Sequence, residues 1–165
     1  MACFNACPFG AISVIETPLS AKVPTIDAEK CKKCGLCEKS CPVINKRILL
    51  YPQEAVALYT KNANDIRTCA SGGAATAFSR KIIADGGVVY GATSVGGYPK
   101  ITRVDELLGL EQLKGSKYVY CDPQQIYSAV KTDLNLDRKC LFVGTPCEVA
   151  ALLNYLGKKY DGLYT

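Results

Sequence analysis

Histidine is absent from this chain. Its absence removes the His-assisted serine or cysteine triad, the His-ligated zinc site and the histidine general base. Long apolar runs are missing as well, since no stretch reaches the roughly 20 residues that a membrane-spanning helix needs. The first residues carry neither the basic nor the apolar segment of a secretion signal. A cytoplasmic protein is expected. Neither G-x-G-x-x-G nor the P-loop pattern occurs, so no standard nucleotide fingerprint is present. The formal charge is +5, but the lysines are mostly dispersed. A nucleic-acid binder needs a concentrated basic face, and no nucleic-acid partner is expected.

What the chain does have is cysteine, ten in 165 residues. Without a secretion signal these argue for a reducing compartment and metal ligation over disulfides. Four fall in the run Cys31-Lys-Lys-Cys34-Gly-Leu-Cys37-Glu-Lys-Ser-Cys41-Pro42. This is the C-x2-C-x2-C-x3-C-P spacing by which bacterial ferredoxins hold a 4Fe–4S cluster, the fourth cysteine serving the other cluster of a pair. By the same crossing rule Cys3-Phe-Asn-Ala-Cys7-Pro8 reads as the second half of a sister motif. Cys7 would then join Cys31, Cys34 and Cys37 around one complete cubane. Cys3 and Cys41 would serve a second, whose two remaining cysteines should precede Cys3 by three and six residues. Those positions fall before Met1. Either the second cluster is lost or the chain is a fragment. The chain also ends at Leu163-Tyr164-Thr165 just after the turn signal Asp161-Gly162, and a fragment open at both ends is expected. The alternative metal, zinc, usually separates two C-x2-C pairs by a longer loop.

A cubane with four thiolates carries about −2 when oxidised, which lowers the formal charge. Lys30, Lys32, Lys33 and Lys39 crowd the motif. Two readings stand for them, a solvated rim or a docking surface for an acidic electron carrier.

The expected fold is α+β, with a small two-cluster ferredoxin-like module over residues 1–46 and an incomplete α/β domain over residues 52–165. In the module, Ile12 to Ile15 should pair with Val23 to Ile26. So small a unit buries little apolar surface, and the cluster must supply much of its folding free energy. Ile48 to Tyr51, with Pro52, is the expected linker. Beyond it, Ala55 to Tyr59 reads as a strand and Asn62 to Asp65 as a polar loop. Ser71 reads as the N-cap of a helix ended by Gly86-Gly87, and Val88 to Ala92 as a buried strand. Helices are expected over Asp105 to Leu113 and from Asp122-Pro123 to about Leu134, with Asp122 as cap. A second buried strand, Cys140 to Val143, should turn through Gly144-Thr145-Pro146 into a helix over Cys147–Leu156 that Gly157 stops. Such alternation indicates an α/β arrangement.

Two of these junctions have the chemistry of an anion site. Ser71-Gly72-Gly73 puts small residues and free amide donors at a helix start. Gly144-Thr145-Pro146-Cys147 does so at the carboxyl end of a buried strand, where open α/β sheets place ligands. Plain turn chemistry followed by a helix cap is the commoner explanation of each. Cys147, at a helix start, reads either as a nucleophile or ligand with a lowered pKa or as a small apolar cysteine. Lys117, within Gly115-Ser116-Lys117-Tyr118, reads as a partner for phosphate or a flavin carbonyl, or as a surface lysine. Cys140 belongs to the core by its strand. Cys69 and Cys121 have no ligand spacing, and whether they join a site stays open.

Taken in order, the ferredoxin module, Ser71-Gly72-Gly73, Gly86-Gly87-Val88-Val89-Tyr90-Gly91, Leu113-Lys-Gly115-Ser116-Lys117-Tyr118 and Phe142-Val-Gly144-Thr145-Pro146-Cys147 form a pattern. The chain resembles the beta subunit of hydrogenases and dehydrogenases that use the 8-hydroxy-5-deazaflavin coenzyme. The resemblance covers nearly all 165 residues. It implies an iron–sulfur flavoprotein oxidoreductase that holds FAD, exchanges a hydride with a deazaflavin-type coenzyme or related substrate, and passes electrons to 4Fe–4S clusters and a redox partner protein or subunit. It implies a flavin pocket drawn from Ser71, Gly72, Gly73, Gly115, Ser116, Lys117, Tyr118, Gly144, Thr145, Pro146 and Cys147, with no catalytic residue assigned. Family members continue into a further C-terminal domain. Two other readings compete, a ferredoxin-like electron-transfer module without its own flavin or substrate site, and a scaffold in which the cysteines are structural.

Overall fold

The computed structural model describes residues 1–18, 21–48, 51–94, 96–123 and 125–165. The fold is α+β. Helix α1 (Ala2–Ala6) leads into an antiparallel hairpin of β1 (Ile12–Glu16) and β2 (Lys22–Ile26), registered Ile12 to Ile26 and Glu16 to Lys22. Helix α2 (Leu36–Ser40) closes this module. The rest is built on a four-stranded mixed sheet. Its strands are β3 (Val88–Thr93), β4 (Lys100–Val104), β5 (Cys140–Phe142) and β6 (Leu163–Tyr164), in the order β4-β3-β5-β6. Strand β3 pairs antiparallel with β4 and parallel with β5, and β5 is parallel to β6.

Alternation along the strands decides which helices cover which face. Val88, Tyr90, Cys140 and Phe142 pack against α5 (Ile126–Asn135) and α6 (Pro146–Leu156), with Tyr127, Val130, Leu134, Ala151, Leu152 and Leu156 facing them. Val89 and Leu141 point the other way, toward Ile82 of α4 (Ala74–Ala84) and Leu110 of a 3₁₀ turn, Leu108–Leu113. A buried polar cross-link ties β3, β4 and α5 together. The Tyr90 hydroxyl donates to Asp133, which also accepts from Arg103 Nε at 2.7 Å. Ala2 of α1 belongs to the same apolar core as Leu152, so the module is packed into the body of the sheet.

Several local expectations give way. Ala55 to Tyr59 is exposed and irregular; among the described residues no strand lies beside it, and Thr60 N–H to Gly72 O (2.7 Å) fixes only its end. Asn62 to Asp65 is not a loop. Asn62 caps α3 (Ala63–Thr68), accepting from the N–H groups of Asn64 and Asp65 at 3.0 Å each. The N-cap of α4 is Gly73, not Ser71. Around Asp105 to Leu113 only the 3₁₀ turn forms, with Gly109 N–H on Glu106 O and Leu110 N–H on Leu107 O; a mid-segment glycine weakens the longer α-helix. The N-cap of α5 is Gln125, not Asp122. Asp122 bridges Lys100 at the sheet edge, and its carboxylate meets Lys22 Nζ of β2 at 2.6 Å. Helix α5 begins at Ile126; Gln124, in the span expected to be helical, lies outside the described residues, as do Leu49 and Leu50 of the expected linker.

Leu152 is fully buried where α6 meets the sheet and α5. Leu152→Ala should cost about 2–5 kcal/mol, read as a lowered midpoint with unchanged slope in chemical denaturation of the metal-loaded protein.

Candidate functional site

The first site forms where the hairpin meets the second cysteine run. Asp27 organises the approach: its Oδ1 accepts from the N–H groups of Glu29 (3.0 Å) and Lys30 (3.3 Å), and its carbonyl accepts from Cys31 N–H at 3.0 Å. The chain then passes through left-handed conformations at Lys33 (φ 53°) and Gly35 (φ 75°). These reversals fold Cys31, Cys34 and Cys37 around one space, and Gly35 is the residue type that adopts such a conformation without cost from a Cβ. Cys7 reaches the same space from the end of α1. The result is a cavity of about 330 Å³ whose wall includes Cys7, Cys31, Cys34 and Cys37, with Phe9, Ala11, Ile12, Ile26 and Leu36 as apolar lining. The Ala11 N–H donates to Cys7 Sγ at 3.3 Å. Hydrogen bonds to sulfur are among the levers that set a cluster's potential.

These residues fit a cubane. Four thiols from two separate motifs share one apolar-walled cavity, and one already accepts a backbone hydrogen bond. Among the described residues, no group of three or more His, Cys, Asp or Glu side chains gathers as a single ion requires. In a cubane each thiolate meets a different iron, so its ligands need not converge on one point.

Cys3 and Cys41 lie elsewhere. They are electrostatic neighbours in the packing between α1 and α2, and burial pushes the Cys3 thiol above its ordinary value. Neither lines the cavity just described.

The second site is a larger cavity of about 660 Å³. Of the residues expected in a flavin pocket, Ser71, Gly72, Gly73, Gly115, Ser116, Lys117, Gly144, Thr145 and Cys147 line it. Tyr118 and Pro146 do not; Tyr118 is 94% exposed, while its neighbour Tyr120 is on the wall. Cys69 and Cys121 are on the wall too. Cys140 is in the core, where burial pushes its thiol up to about 12. The glycines permit close approach. A Cβ on Gly73 (φ 74°) would stand 2.7 Å from Thr60 Cγ2, and one on Gly144 would stand 2.6 Å from the Phe142 ring.

The two helix starts at this cavity differ. Helix α6 is closed by its own residues. Thr145 and Glu148 form a capping box, Glu148 Oε2 accepting from Thr145 N–H at 2.7 Å, and Thr145 Oγ1 lies 3.2 Å from Cys147 Sγ. Its positive end already faces a carboxylate. Helix α4 begins at Gly73 without a side-chain cap, and Gly73, Ala74 and Ala75 are on the cavity wall. Lys117, on the wall, also braces its loop: its ammonium donates to Lys114 O (2.6 Å) and Gln112 O (3.3 Å), and burial pulls its value down.

The sequence reading did not assign Asp65, which is fully buried. It accepts from Arg80 Nε at 2.7 Å and Nη2 at 2.9 Å, and from Lys114 Nζ at 2.9 Å. Lys114 also meets Glu111 at 2.7 Å and is itself on the wall. Arg80 beside it, with Lys114, holds the Asp65 carboxyl far below the usual range against its burial. The network thus joins α3, α4 and the segment after the 3₁₀ turn. The local clue was the cap: Asn62 followed three residues later by Asp65.

Residues 1–45 match the family description "4Fe-4S dicluster domain". No curated protein matches the chain. The match covers Cys3, Cys7, Cys31, Cys34, Cys37 and Cys41, and it gives the N-terminal module an iron–sulfur electron-transfer role, which in turn calls for a redox partner. Among the described residues no helix is long and apolar enough to cross a membrane.

Asp65→Asn should destabilise the fold by about 1–3 kcal/mol, since Lys114 keeps Glu111 and Arg80 is partly exposed. The pH dependence has a definite sign. The folded-state value is depressed, so the contribution is complete above the unfolded value of about 4 and drains as pH falls below it. Acid denaturation followed by circular dichroism should therefore show a steeper loss below about pH 4 in the wild type than in Asp65→Asn.

Proposed function

We propose that the chain is the electron-transfer and cofactor-binding part of an iron–sulfur flavoprotein oxidoreductase of the deazaflavin hydrogenase/dehydrogenase beta-subunit kind. In this reading Cys7, Cys31, Cys34 and Cys37 hold a complete 4Fe–4S cluster, and Cys3 and Cys41 contribute to a second. Residues 1–46 form the cluster domain, and residues 52–165 form the N-terminal part of the flavin domain. The observation that carries the flavin reading is the common cavity. Residues 71–73, residues 115–117, and Gly144, Thr145 and Cys147, far apart in the chain, wall one space of about 660 Å³, within the usual range for cofactor sites.

FAD, when bound, supplies the chemistry that joins two-electron hydride exchange to single-electron transfer. The chain's own residues would do the rest. The uncapped start of α4 offers N–H donors to the phosphates. Gly73 lets its loop pack against Thr60 and Gly144 lets its loop pack against Phe142, and Lys117 and the Asp65 network hold the loops that shape the space. Substrate would be a small hydride donor or acceptor, such as a deazaflavin-type coenzyme.

Protein prepared without oxygen should contain iron and show a broad cluster absorption. Cys34→Ser should lose the absorption of the Cys7–Cys31–Cys34–Cys37 cluster and Cys69→Ser should keep it; the opposite result overturns the ligand assignment. Titration with FAD, followed by flavin fluorescence or equilibrium dialysis, should show saturable binding. Gly73→Val should abolish it, because the new side chain meets Thr60 and must adopt a left-handed backbone. A protein with intact cluster absorption and no flavin binding would leave the electron-transfer module without its own flavin as the surviving reading.

A further inference from the structure

Part of the wall of the smaller cavity meets solvent. Of its four cysteines only Cys34 is exposed. Around it Phe9, Ile26 and Leu36 are 46%, 60% and 42% exposed, and Lys32 and Lys33 are exposed beside them. Apolar groups gathered at one opening with a polar rim mark an interaction surface, whereas scattered ones do not. The charges here are unevenly matched. Lys30 is held by Asp27 at 3.0 Å, but Lys32 and Lys33 have no ion-pair partner among the described residues, and Glu38 is the one carboxylate on this wall. Lys33 also holds φ 53°, one of two non-glycine residues in the left-handed region among those described. A glycine would adopt that conformation at lower cost. A long cationic side chain thus stands at this turn against local preference. A cluster with four thiolates carries about −2 when oxidised, so a bare opening would repel anions. The two unpaired ammonium groups offset that charge at the surface.

We propose that this opening docks an acidic one-electron carrier protein. Phe9, Ile26 and Leu36 form the apolar contact, Lys32 and Lys33 meet carboxylates of the carrier, and Cys34 is the ligand the carrier approaches most closely. The inference rests on cluster ligation by Cys7, Cys31, Cys34 and Cys37 and is independent of the flavin reading. A carrier is the partner such a place suits. One centre loses the electron and the other gains it, with no bond made and no proton moved, so close approach to an exposed ligand is all the chemistry asks. A basic carrier would set its own cations against Lys32 and Lys33. Nucleic acid needs a wider basic face than two lysines supply. Complementary charge sets the orientation and rate of encounter more than the affinity, which suits a partner that must leave after each electron.

Binding of carriers of opposite charge tests the surface. Cluster loading is checked first, by iron content and absorption. Calorimetric titration of the loaded protein with a carboxylate-rich plant-type ferredoxin should show saturable binding at low salt. The affinity should fall about tenfold between roughly 0.02 M and 0.2 M ionic strength. Lysine-rich cytochrome c should bind more weakly than the ferredoxin. Lys32→Glu and Lys33→Glu should each weaken ferredoxin binding about fivefold. Lys61→Glu makes the same change of charge outside both cavity walls and should leave it within about twofold. Lys32→Gln and Lys33→Gln remove the charge without reversing it and serve where a glutamate variant fails to load. Absent ferredoxin binding, an affinity unmoved by salt, tighter binding of cytochrome c, or losses at Lys32 and Lys33 no larger than at Lys61 overturn the proposal. Protein that never takes up iron overturns the ligation reading and the docking with it. Iron-loaded protein that ignores the ferredoxin overturns the docking alone.

Discussion

Helix α6 carries constraints from three directions at once. One face, through Ala151, Leu152 and Leu156, completes the core over Phe142 and Tyr127. Its flank receives α1 and α2 of the cysteine module. Its first turn, through Cys147 and Glu148, is part of the wall of the larger cavity. Because interiors are close-packed, a shift of this helix cannot be absorbed at one of these contacts alone. Pro146, the Thr145–Glu148 capping box and Gly157 in the left-handed conformation fix where it starts and stops. The spacing between cysteine module and cavity is therefore set by a helix of defined length and anchoring.

The module needs that anchoring. Among its described residues only Ala2, Ala11, Ile12 and Ser40 are buried, whereas Ile26, Val43 and Ile44 are more than half exposed. A unit with so little interior gains much of its order from ligation and from docking. The docking contacts are of mixed type: the apolar seat of Ala2, the Lys22–Asp122 ion pair, and the hydrogen bonds of Asn154 with Asn45 and Arg47. The ion pair is partly exposed and adds little by itself. The apolar seat is the contact that fixes position.

How much of this was legible in the sequence depended on how local the cause was. Cysteine ligation is written in spacings of three and four residues, so the smaller cavity could be read before any fold was known. Strands β3 and β5 were legible because a strand buried on both faces is apolar at every position, as Val88-Val89-Tyr90 and Cys140-Leu141-Phe142 are. Ala55 to Tyr59 has the same character but no partner among the described residues, and β-propensity without a partner makes no strand. Asp65 was illegible for the opposite reason. Its value comes from Arg80 and Lys114, 15 and 49 positions away, and nothing in Asn62-Ala-Asn-Asp65 announces them. In the larger cavity the glycine junctions could be read from their small residues. The choice between Tyr118 and Tyr120 could not, because it turns on which way one short irregular segment faces.

The two helix starts give the larger cavity an electrostatic direction that composition alone does not convey. At α4 the first-turn donors lack a side-chain partner, and the partial positive charge of the helix end is available to an anion. At α6 the Glu148 carboxylate occupies that position, and a second negative group there would meet it directly. An anionic ligand is thus drawn to the α4 end and repelled from the α6 end.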